Sequence, residues 1–266
     1  MANMAKTVNF RFKKPKFSTC IPIELCAFAF RKKFVRPVQL YVLLKSICDG
    51  TIKLSKPYKK AIAKKIGFKT IKSVNNNIKL LMARNWVGYD KTSDVYYIRS
   101  YDRVMQSEDM KRGLRATFQL KDIKKMRAFL FGAVLTKLVA YQNWRKTREL
   151  ERIKGRSTPG SRDRQTYYPI ANLAIKKILR ISISTAFELK KQAEIAGYIK
   201  VKKAFASCFA GHTNLCEAKY KDDFKSAYPE VANRVRVKDG FLRIQASDRV
   251  LSNIKLKKAR KKSKHI

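Results

Sequence analysis

The chain is poor in acidic residues. It contains 19 Asp and Glu against 62 Lys and Arg, which is a formal net charge of +43 over 266 residues. Such an imbalance says little about fold, but a polyanion must neutralise it, so the candidate partners are DNA, RNA and an anionic membrane surface. Apolar residues still make up 45% of the chain, which argues for a folded core and against global disorder.

Long apolar runs are also missing. The longest candidates, "IPIELCAFAF" and "AFLFGAVLTKLVAY", are short or interrupted by charge, whereas a bilayer span needs roughly 20 apolar residues. The N-terminus lacks the order of regions in a signal peptide, although its basic start leaves an organelle presequence open. We therefore expect no membrane partner. The five cysteines, an odd number, indicate reduced thiols and an intracellular setting.

Residues that carry chemistry are scarce. There are two histidines, no phosphate-binding loop, no paired-histidine motif of a rolling-circle nickase and no boxes of a tyrosine recombinase, so we expect no enzyme activity and no cofactor. "CFAGHTNLC" places Cys208, His212 and Cys216 at a spacing that could hold zinc. A fourth ligand is missing, so these residues are only weak metal candidates, and an incidental histidine between buried cysteines is the alternative.

Residues 37–106 carry the pattern of three helices and a hairpin. "RPVQLYVLLKSICDG" predicts a helix that begins at Pro37. "KPYKKAIAKKIGF" predicts a second helix closed at Gly67, and Thr70 can cap a third helix that runs to about Arg84. "WVGYDKTSDVYYIRS" then predicts a β-hairpin. This order resembles the winged helix-turn-helix superfamily, which implies a third helix in the DNA major groove and a hairpin, or wing, on the backbone.

A second copy of this pattern lies 112 residues downstream. "KKIGFKTIKSVNNNIKLLMARNWV" from Lys64 aligns without a gap with "KKILRISISTAFELKKQAEIAGYI" from Lys176, and the capping positions Thr70 and Ser182 coincide. The cap, the apolar spacing and the aromatic strand start recur in the same order. This favours an internal repeat over chance similarity between two lysine-rich helices.

The second copy is longer at its hairpin. "YIRSYDRV" (97–104) resembles "RIQASDRV" (243–250) at an offset of 146, which leaves 34 extra residues in the second wing, at about 201–234. Upstream of it, the pattern of residues 120–154 predicts one long helix and "GRSTPGSRDRQT" (155–166) predicts a loop. Tyr168-Pro169 is then expected to open the next helix.

These patterns divide the chain into four parts. They are a basic N-terminal arm (1–36), unit 1 (37–106), unit 2 (107–254) and a basic C-terminal tail (255–266). The arm has nine Lys and Arg with one acid, and the tail has seven with none. Because like charges at this density repel, both ends would gain by releasing counterions from a polyanion.

Three consecutive asparagines lie in the third helix of unit 1, although asparagine is a poor helix former. At about 100° per residue, the buried stripe comprises Ile71, Val74, Ile78, Leu81 and Met82. Asn76 then faces outward and Asn77 partly so, while Asn75 lies beside the stripe. A carboxamide can form two hydrogen bonds with adenine in the major groove, so this face predicts base reading. An A/T-rich codon bias is the alternative reading of the three asparagines.

The predicted DNA contacts form two groups. The base-reading group comprises Lys72, Ser73, Asn76, Asn77, Ser184, Glu188, Lys191 and Gln192. The backbone group comprises Lys13, Lys14, Lys69, Lys79, Arg84, Lys91, Lys257, Lys258, Arg260, Lys261 and Lys262. A glutamate near phosphates is costly, although Glu188 could accept from cytosine N4. Unit 2 is therefore either a more selective reader or a surface for another partner.

The predicted fold is mainly α-helical with small β-wings, formed by two tandem winged-helix domains joined by a long helix. This layout is similar to the initiator proteins of plasmid and phage replication, and the architectural resemblance covers about 37–250. It implies sequence-selective binding of double-stranded DNA, with a homodimer as one arrangement. A transcriptional regulator, a virion-internal packaging protein and an RNA binder remain alternatives. The expected location is the nucleoid in the cytoplasm, a phage-infected cell or the virion interior.

Overall fold

The structure is a computed structural model, and it describes residues 18–48, 50–111, 113–154, 167–207, 217–238 and 240–258. The predictions that lie outside these residues concern Lys13, Lys14, Cys208, His212, Cys216, Arg260, Lys261, Lys262 and the loop 155–166. Of the described residues, 56% are helical and 21% lie in strands, which form small antiparallel sheets. The prediction of a mainly helical chain with small sheets is confirmed in outline.

The helices and strands up to residue 107 follow one another without long connections. In chain order they are β1 (Ser18–Pro22), α1 (Ile23–Arg31), α2 (Val35–Ile47), β2 (Thr51–Ile52), α3 (Lys56–Ile66), α4 (Ile71–Ala83), β3 (Val87–Asp90), β4 (Val95–Ile98) and α5 (Tyr101–Ser107). The helices and the hairpin predicted for unit 1 are present within a few residues of their expected bounds.

The remaining elements begin with a strand, a short 3₁₀ helix (Leu120–Lys125) and a long α-helix. In chain order the strands and α-helices are β5 (Leu114–Gln119), α6 (Met126–Lys154), β6 (Tyr168–Pro169), α7 (Asn172–Leu179), α8 (Ile183–Ile195), β7 (Ile199–Lys202), β8 (Phe205–Ser207), α9 (Lys221–Ala227), β9 (Val235–Lys238), β10 (Phe241–Gln245), β11 (Arg249–Ser252) and β12 (Leu256–Lys258). The predicted long helix is present as α6 but begins at Met126 rather than at residue 120, because Leu120–Lys125 form the separate 3₁₀ helix.

Local hydrogen bonds set the ends of α3 and α4. The Ser55 hydroxyl caps α3 by accepting from the backbone N–H of Tyr58 at 3.4 Å. α3 ends at Ile66, and the next residue, Gly67, caps it with a φ of +87°, a backbone conformation that favours glycine. The Thr70 hydroxyl then accepts from the backbone N–H of Ser73 at 3.3 Å and starts α4. The glycine end of α3 and the threonine cap of α4 are the ones that the sequence predicts.

The two units repeat one order of elements. Unit 1 runs β2, α3, α4, β3, β4 with sheet order β2-β4-β3, and unit 2 runs β6, α7, α8, β7, β11 with sheet order β6-β11-β7. α8 begins and ends 112 residues after α4, and β7 does so after β3. The gapless alignment is therefore confirmed. Tyr168-Pro169 does not open a helix, because it forms the edge strand β6. Proline is tolerated in an edge strand, since its missing N–H is not needed for pairing on the open side.

The insertion in unit 2 is larger than the predicted 201–234. β7 pairs with β11, so residues 203–248 lie between the two strands. We call these residues the inserted subdomain. It contains the sheet β8-β10-β9 and α9, and its small core comprises Phe224, Val235, Leu242 and Ile244. It therefore folds around apolar contacts of its own.

The match between the two Asp-Arg-Val stretches is misleading. In unit 1, Asp102 to Val104 lie in α5, whereas in unit 2 Arg249 and Val250 begin β11. The strand of unit 2 that corresponds to β4 therefore starts later than the sequence match suggests. Three identical residues in a lysine-rich chain carry little register information, whereas strand pairing fixes the register.

The predicted arm and tail are partly wrong. β1 and β12 pair with the two edges of β5, so one sheet joins residues near both ends of the described chain to its middle. α1 packs against both units, because Phe28 contacts Trp86 and Phe30 contacts Phe131 of α6. The prediction of a basic arm rested on the charge count of residues 1–36. It overlooked the apolar residues of β1 and α1, which precede the cluster of exposed cations. One hydrophobic core runs through both units.

Candidate nucleic-acid interface

The outward face of α4 is polar and basic. Val74, Ile78 and Leu81 are buried on its inner side. Lys72, Asn76, Lys79 and Ala83 are exposed at the i, i+4, i+7 and i+11 spacing of one helical stripe. The prediction that Asn76 faces outward is confirmed, and Lys72 and Lys79 lie beside it on the same stripe.

Asn77 does not belong to this face. Its side chain is buried, and Nδ2 donates to the Ser73 carbonyl at 2.7 Å. The buried stripe is rotated toward Asn77 and away from Met82, which is 37% exposed. Ser73 is half-buried, and its hydroxyl contacts that of Thr70 at 3.2 Å. A short amide that bonds its own helix can enter the core, so the prediction that Asn77 reads bases is wrong.

The Arg84 side chain makes its contacts within the protein. Its guanidinium contacts both carboxylate oxygens of Glu108, at 3.0 and 2.9 Å, and lies over the Phe28 and Phe34 rings. Glu108 also accepts from the indole N–H of Trp86 at 3.0 Å. Arg84 therefore packs on the aromatic side chains around Trp86, and its ion pair with Glu108 argues against the predicted phosphate contact.

A cleft opens between α3 and the start of α4. Its volume is about 770 Å³, and its lining includes Lys56, Lys60, Lys64 and Lys69, with no acid among the described lining residues. All four lysines are exposed. We call this the lysine cleft. It lies beside the N-terminus of α4, where backbone N–H groups add to the positive potential. Of its lysines, the sequence prediction included Lys69 alone.

A second basic groove lies between the two units. It encloses about 480 Å³, and its cations are Lys33, Arg36, Lys124 and Arg127. Gly67 from unit 1 and Thr185 from unit 2 also line it. Buried Gln39 links the two sides of the groove. Its Nε2 donates to the carbonyl of Ile123 at 2.7 Å and to that of Ile66 at 3.4 Å. We call this the inter-unit groove.

Sequence reasoning missed the inter-unit groove for a simple reason. Two of its cations come from 33–36, which the charge pattern assigns to the arm, and two come from 124–127 at the start of the long helix. The packing of α2 against the 3₁₀ helix brings them together. The short basic runs "RKKFVR" and "KKMR" were the available signal.

The β3–β4 hairpin of unit 1 carries more acid than the predicted contact with the DNA backbone suggests. Lys91 is exposed at the hairpin turn between Asp90 and Asp94. The Asp90 carboxylate accepts from the Ser93 hydroxyl at 2.6 Å and from the Thr92 N–H at 3.0 Å, and these bonds lower its pKa. The bond from the Tyr89 hydroxyl to Asp94, at 2.8 Å, raises the pKa of Tyr89. A turn that carries two carboxylates is a weak site for phosphate.

The aligned face of unit 2 is different. Ser184, Glu188, Lys191 and Gln192 are all exposed on α8, as predicted. Beside them Ile183 is 48% exposed and Phe187 is 53% exposed. This face therefore mixes an acid with large apolar side chains, which is more typical of a protein contact than of a phosphate contact.

The inserted subdomain lines a cleft at the position in unit 2 that corresponds to the lysine cleft. This cleft, of about 630 Å³, lies between Asn172 and Ile183 on one side and Arg234 and Gln245 on the other. A buried ion pair ties the two parts together, since Lys190 Nζ lies 2.9 Å from Asp248 Oδ2. The inserted subdomain therefore forms one side of the cleft beside the start of α8, whereas the lining residues of the lysine cleft all come from α3, the start of α4 and the residues between them.

The remaining backbone predictions meet no contradiction. Lys69 and Lys79 are exposed near α4, and Lys257 and Lys258 are exposed on strand β12 rather than in a tail.

Among the described residues no group of three His, Cys, Asp or Glu could hold a metal ion, and none of their helices is both long and apolar enough to cross a membrane. Comparison with family models, curated proteins and solved structures found no match to this chain.

Proposed function

We propose that this protein binds double-stranded DNA through unit 1, with α4 in the major groove. In this proposal both units are winged helices, as the resemblance to replication initiators of plasmids and phages implies. Asn76 meets a base edge, and Lys72 and Lys79 lie beside it. Binding to a replication origin is the role we favour, and a transcriptional regulator uses the same contacts.

The open lysine cleft beside the exposed polar face of α4 is the observation that carries this proposal. Residues 56–84 contain eight lysines, one arginine and no acid. A duplex seated on α4 would place one phosphate strand along these lysines. The inter-unit groove extends the positive surface from Gly67 toward unit 2.

A second observation favours dimer formation through unit 2. Its exposed face combines Ile183 and Phe187 with the acidic Glu188, and apolar side chains gain free energy when a protein partner covers them. In a homodimer, two copies of unit 1 would then read two half-sites. A protein contact at this face would explain why unit 2 has fewer lysines there than unit 1 has on α3 and α4.

A salt titration of duplex binding tests the proposal. If roughly 6–10 phosphates are contacted, the affinity should fall about 10³–10⁵-fold between 50 and 200 mM salt. Replacing Lys56, Lys60 and Lys64 with Gln should lower the slope of log K against log salt by about 0.9 for each lysine that contacts a phosphate. A flat plot would remove the electrostatic argument.

The control replaces three exposed lysines in and directly after strand β7 of unit 2. Lys200, Lys202 and Lys203 change the net charge equally when mutated to Gln. We expect this control to leave most of the slope intact. Equal losses in both triple variants would mean that net charge alone drives binding, as in a packaging protein.

A further inference from the structure

The second half of α6 carries an exposed aromatic pair that the duplex interface does not use. The rings of Tyr141 and Trp144 are stacked, with centroids 5.9 Å apart and planes inclined by 29°. The two residues are 55% and 51% exposed. The Arg148 guanidinium lies 4.9 Å from the centroid of the Trp144 ring. Tryptophan is mostly buried in folded proteins, so this stacked pair in solvent indicates a binding surface.

The opposite side of α6 fixes the direction of this pair. Gln142 Nε2 donates to the carbonyl of Pro169 at 3.0 Å, and the Tyr168 hydroxyl donates to Asn143 Oδ1 at 2.6 Å. Both bonds hold the helix against strand β6 of unit 2. At about 100° per residue, they leave Tyr141 and Trp144 directed at solvent.

Cations share the face with the aromatic pair. On a helical wheel one sector of about 100° contains Tyr141, Trp144, Arg145, Arg148 and Arg152. Arg145 and Arg148 are exposed. Glu149 and Glu151 lie outside the sector, one on each side. The face therefore offers two aromatic rings for stacking and guanidinium groups for phosphates.

We propose that this face, the α6 platform of Tyr141, Trp144 and Arg148, binds single-stranded nucleic acid. Unpaired bases stack on the two rings while the arginines contact the phosphates. The bases of a duplex are stacked on each other and cannot use the platform, so it selects single strands. This inference goes beyond duplex binding by unit 1 and uses none of the same residues.

Intrinsic fluorescence provides a direct readout. The chain has two tryptophans. Trp86 is fully buried and its N–H is bonded to Glu108, whereas Trp144 is exposed. A thymine homo-oligonucleotide of about 20 nucleotides should quench the Trp144 emission, and an abasic strand of equal length and charge should quench far less. Equal quenching by both strands would overturn the stacking model.

Variants of the platform separate stacking from charge. Trp144→Ala should weaken binding of the thymine oligonucleotide about ten-fold or more in fluorescence anisotropy, and Trp144→Phe much less, because a ring remains. Lys146→Ala is the control, since Lys146 is exposed on another side of the same helix. If Trp144→Ala weakens binding no more than Lys146→Ala does, the proposal is wrong.

Two further measurements distinguish the platform from a dimer contact and from the duplex interface of unit 1. If Trp144→Ala changes the mass of the free protein in ultracentrifugation and leaves oligonucleotide affinity intact, the platform is a contact between two copies of the chain, which overturns the proposal. A duplex titration on the same samples tests unit 1 separately. Loss of duplex binding with retained oligonucleotide binding would refute the proposed function alone.

Discussion

The third helices of the two units, α4 and α8, have the same length and the same position in their repeats. Their exposed faces differ in charge. Asn76 of α4 and Glu188 of α8 occupy the same aligned position, and both are exposed. Residues 56–84 contain eight lysines, one arginine and no acid, whereas the aligned 168–196 contain four lysines, one arginine and two glutamates. The repeated elements therefore do not imply a repeated function.

The buried positions differ as well, in one informative place. Ile78 of α4 is an ordinary core residue, and the aligned position in α8 is Lys190, which is 4% exposed and paired with Asp248. Asp248 lies where the inserted subdomain returns to strand β11. Unit 2 thus has a buried ion pair at the position where unit 1 has an apolar contact. The ion pair holds the inserted subdomain, which unit 1 lacks.

The largest expected effect tests this ion pair. Asp248→Ala leaves the Lys190 ammonium buried without its counter-charge and should lower the free energy of unfolding by about 3–5 kcal/mol. The double variant Lys190→Ile/Asp248→Ala restores the chemistry of unit 1 and should recover most of that loss. Urea denaturation measures both. The control Asp222→Ala removes an exposed ion pair with Lys225 and should change little.

The next effect compares the two reading positions. Asn76→Ala should weaken specific duplex binding by about 1–3 kcal/mol and leave binding to random duplex nearly unchanged. Glu188→Ala should leave the affinity for both specific and random duplex nearly unchanged, because α8 faces a protein partner in our proposal. A competition titration with specific and random duplex measures both variants. Loss of selectivity in Glu188→Ala alone would reverse the assignment of the two units.

A smaller effect compares matched lysine pairs. Lys64 and Lys65 align with Lys176 and Lys177, and all four are exposed. Changing the first pair to Gln should lower the salt slope of duplex binding by up to about 2, since each phosphate contact contributes about 0.9. Changing the second pair should leave the slope near its original value. Equal changes would indicate that both units lie on the same duplex.

The smallest effect concerns Tyr198, which aligns with Trp86 just before the first strand of each hairpin. The Tyr198 hydroxyl is buried without a hydrogen-bond partner among the described residues, so Tyr198→Phe should change the unfolding free energy by less than about 0.5 kcal/mol or stabilise the protein. Trp86→Phe should destabilise it by about 1–3 kcal/mol, because the buried bond to Glu108 is lost. Thermal unfolding of the two variants gives the comparison.

Features that depend only on neighbours along the chain were predictable from the amino-acid sequence. Capping hydroxyls at Thr70 and Ser182, the closing Gly67 and the periodicity of apolar residues are local, and the corresponding helices form at the expected places. The outward positions of Asn76 and Glu188 follow from the same periodicity. Local rules suffice here because a helix satisfies its own backbone groups.

Which polar side chains remain available to a partner depends on how distant segments pack together. Arg84 is occupied by Glu108, and the inter-unit groove joins cations from 33–36 and 124–127. These outcomes depend on the packing of segments far apart in sequence around one core, and no periodicity within a segment encodes them. Charge counts place a cation on the chain, but packing decides whether it faces a partner or another residue of the same protein.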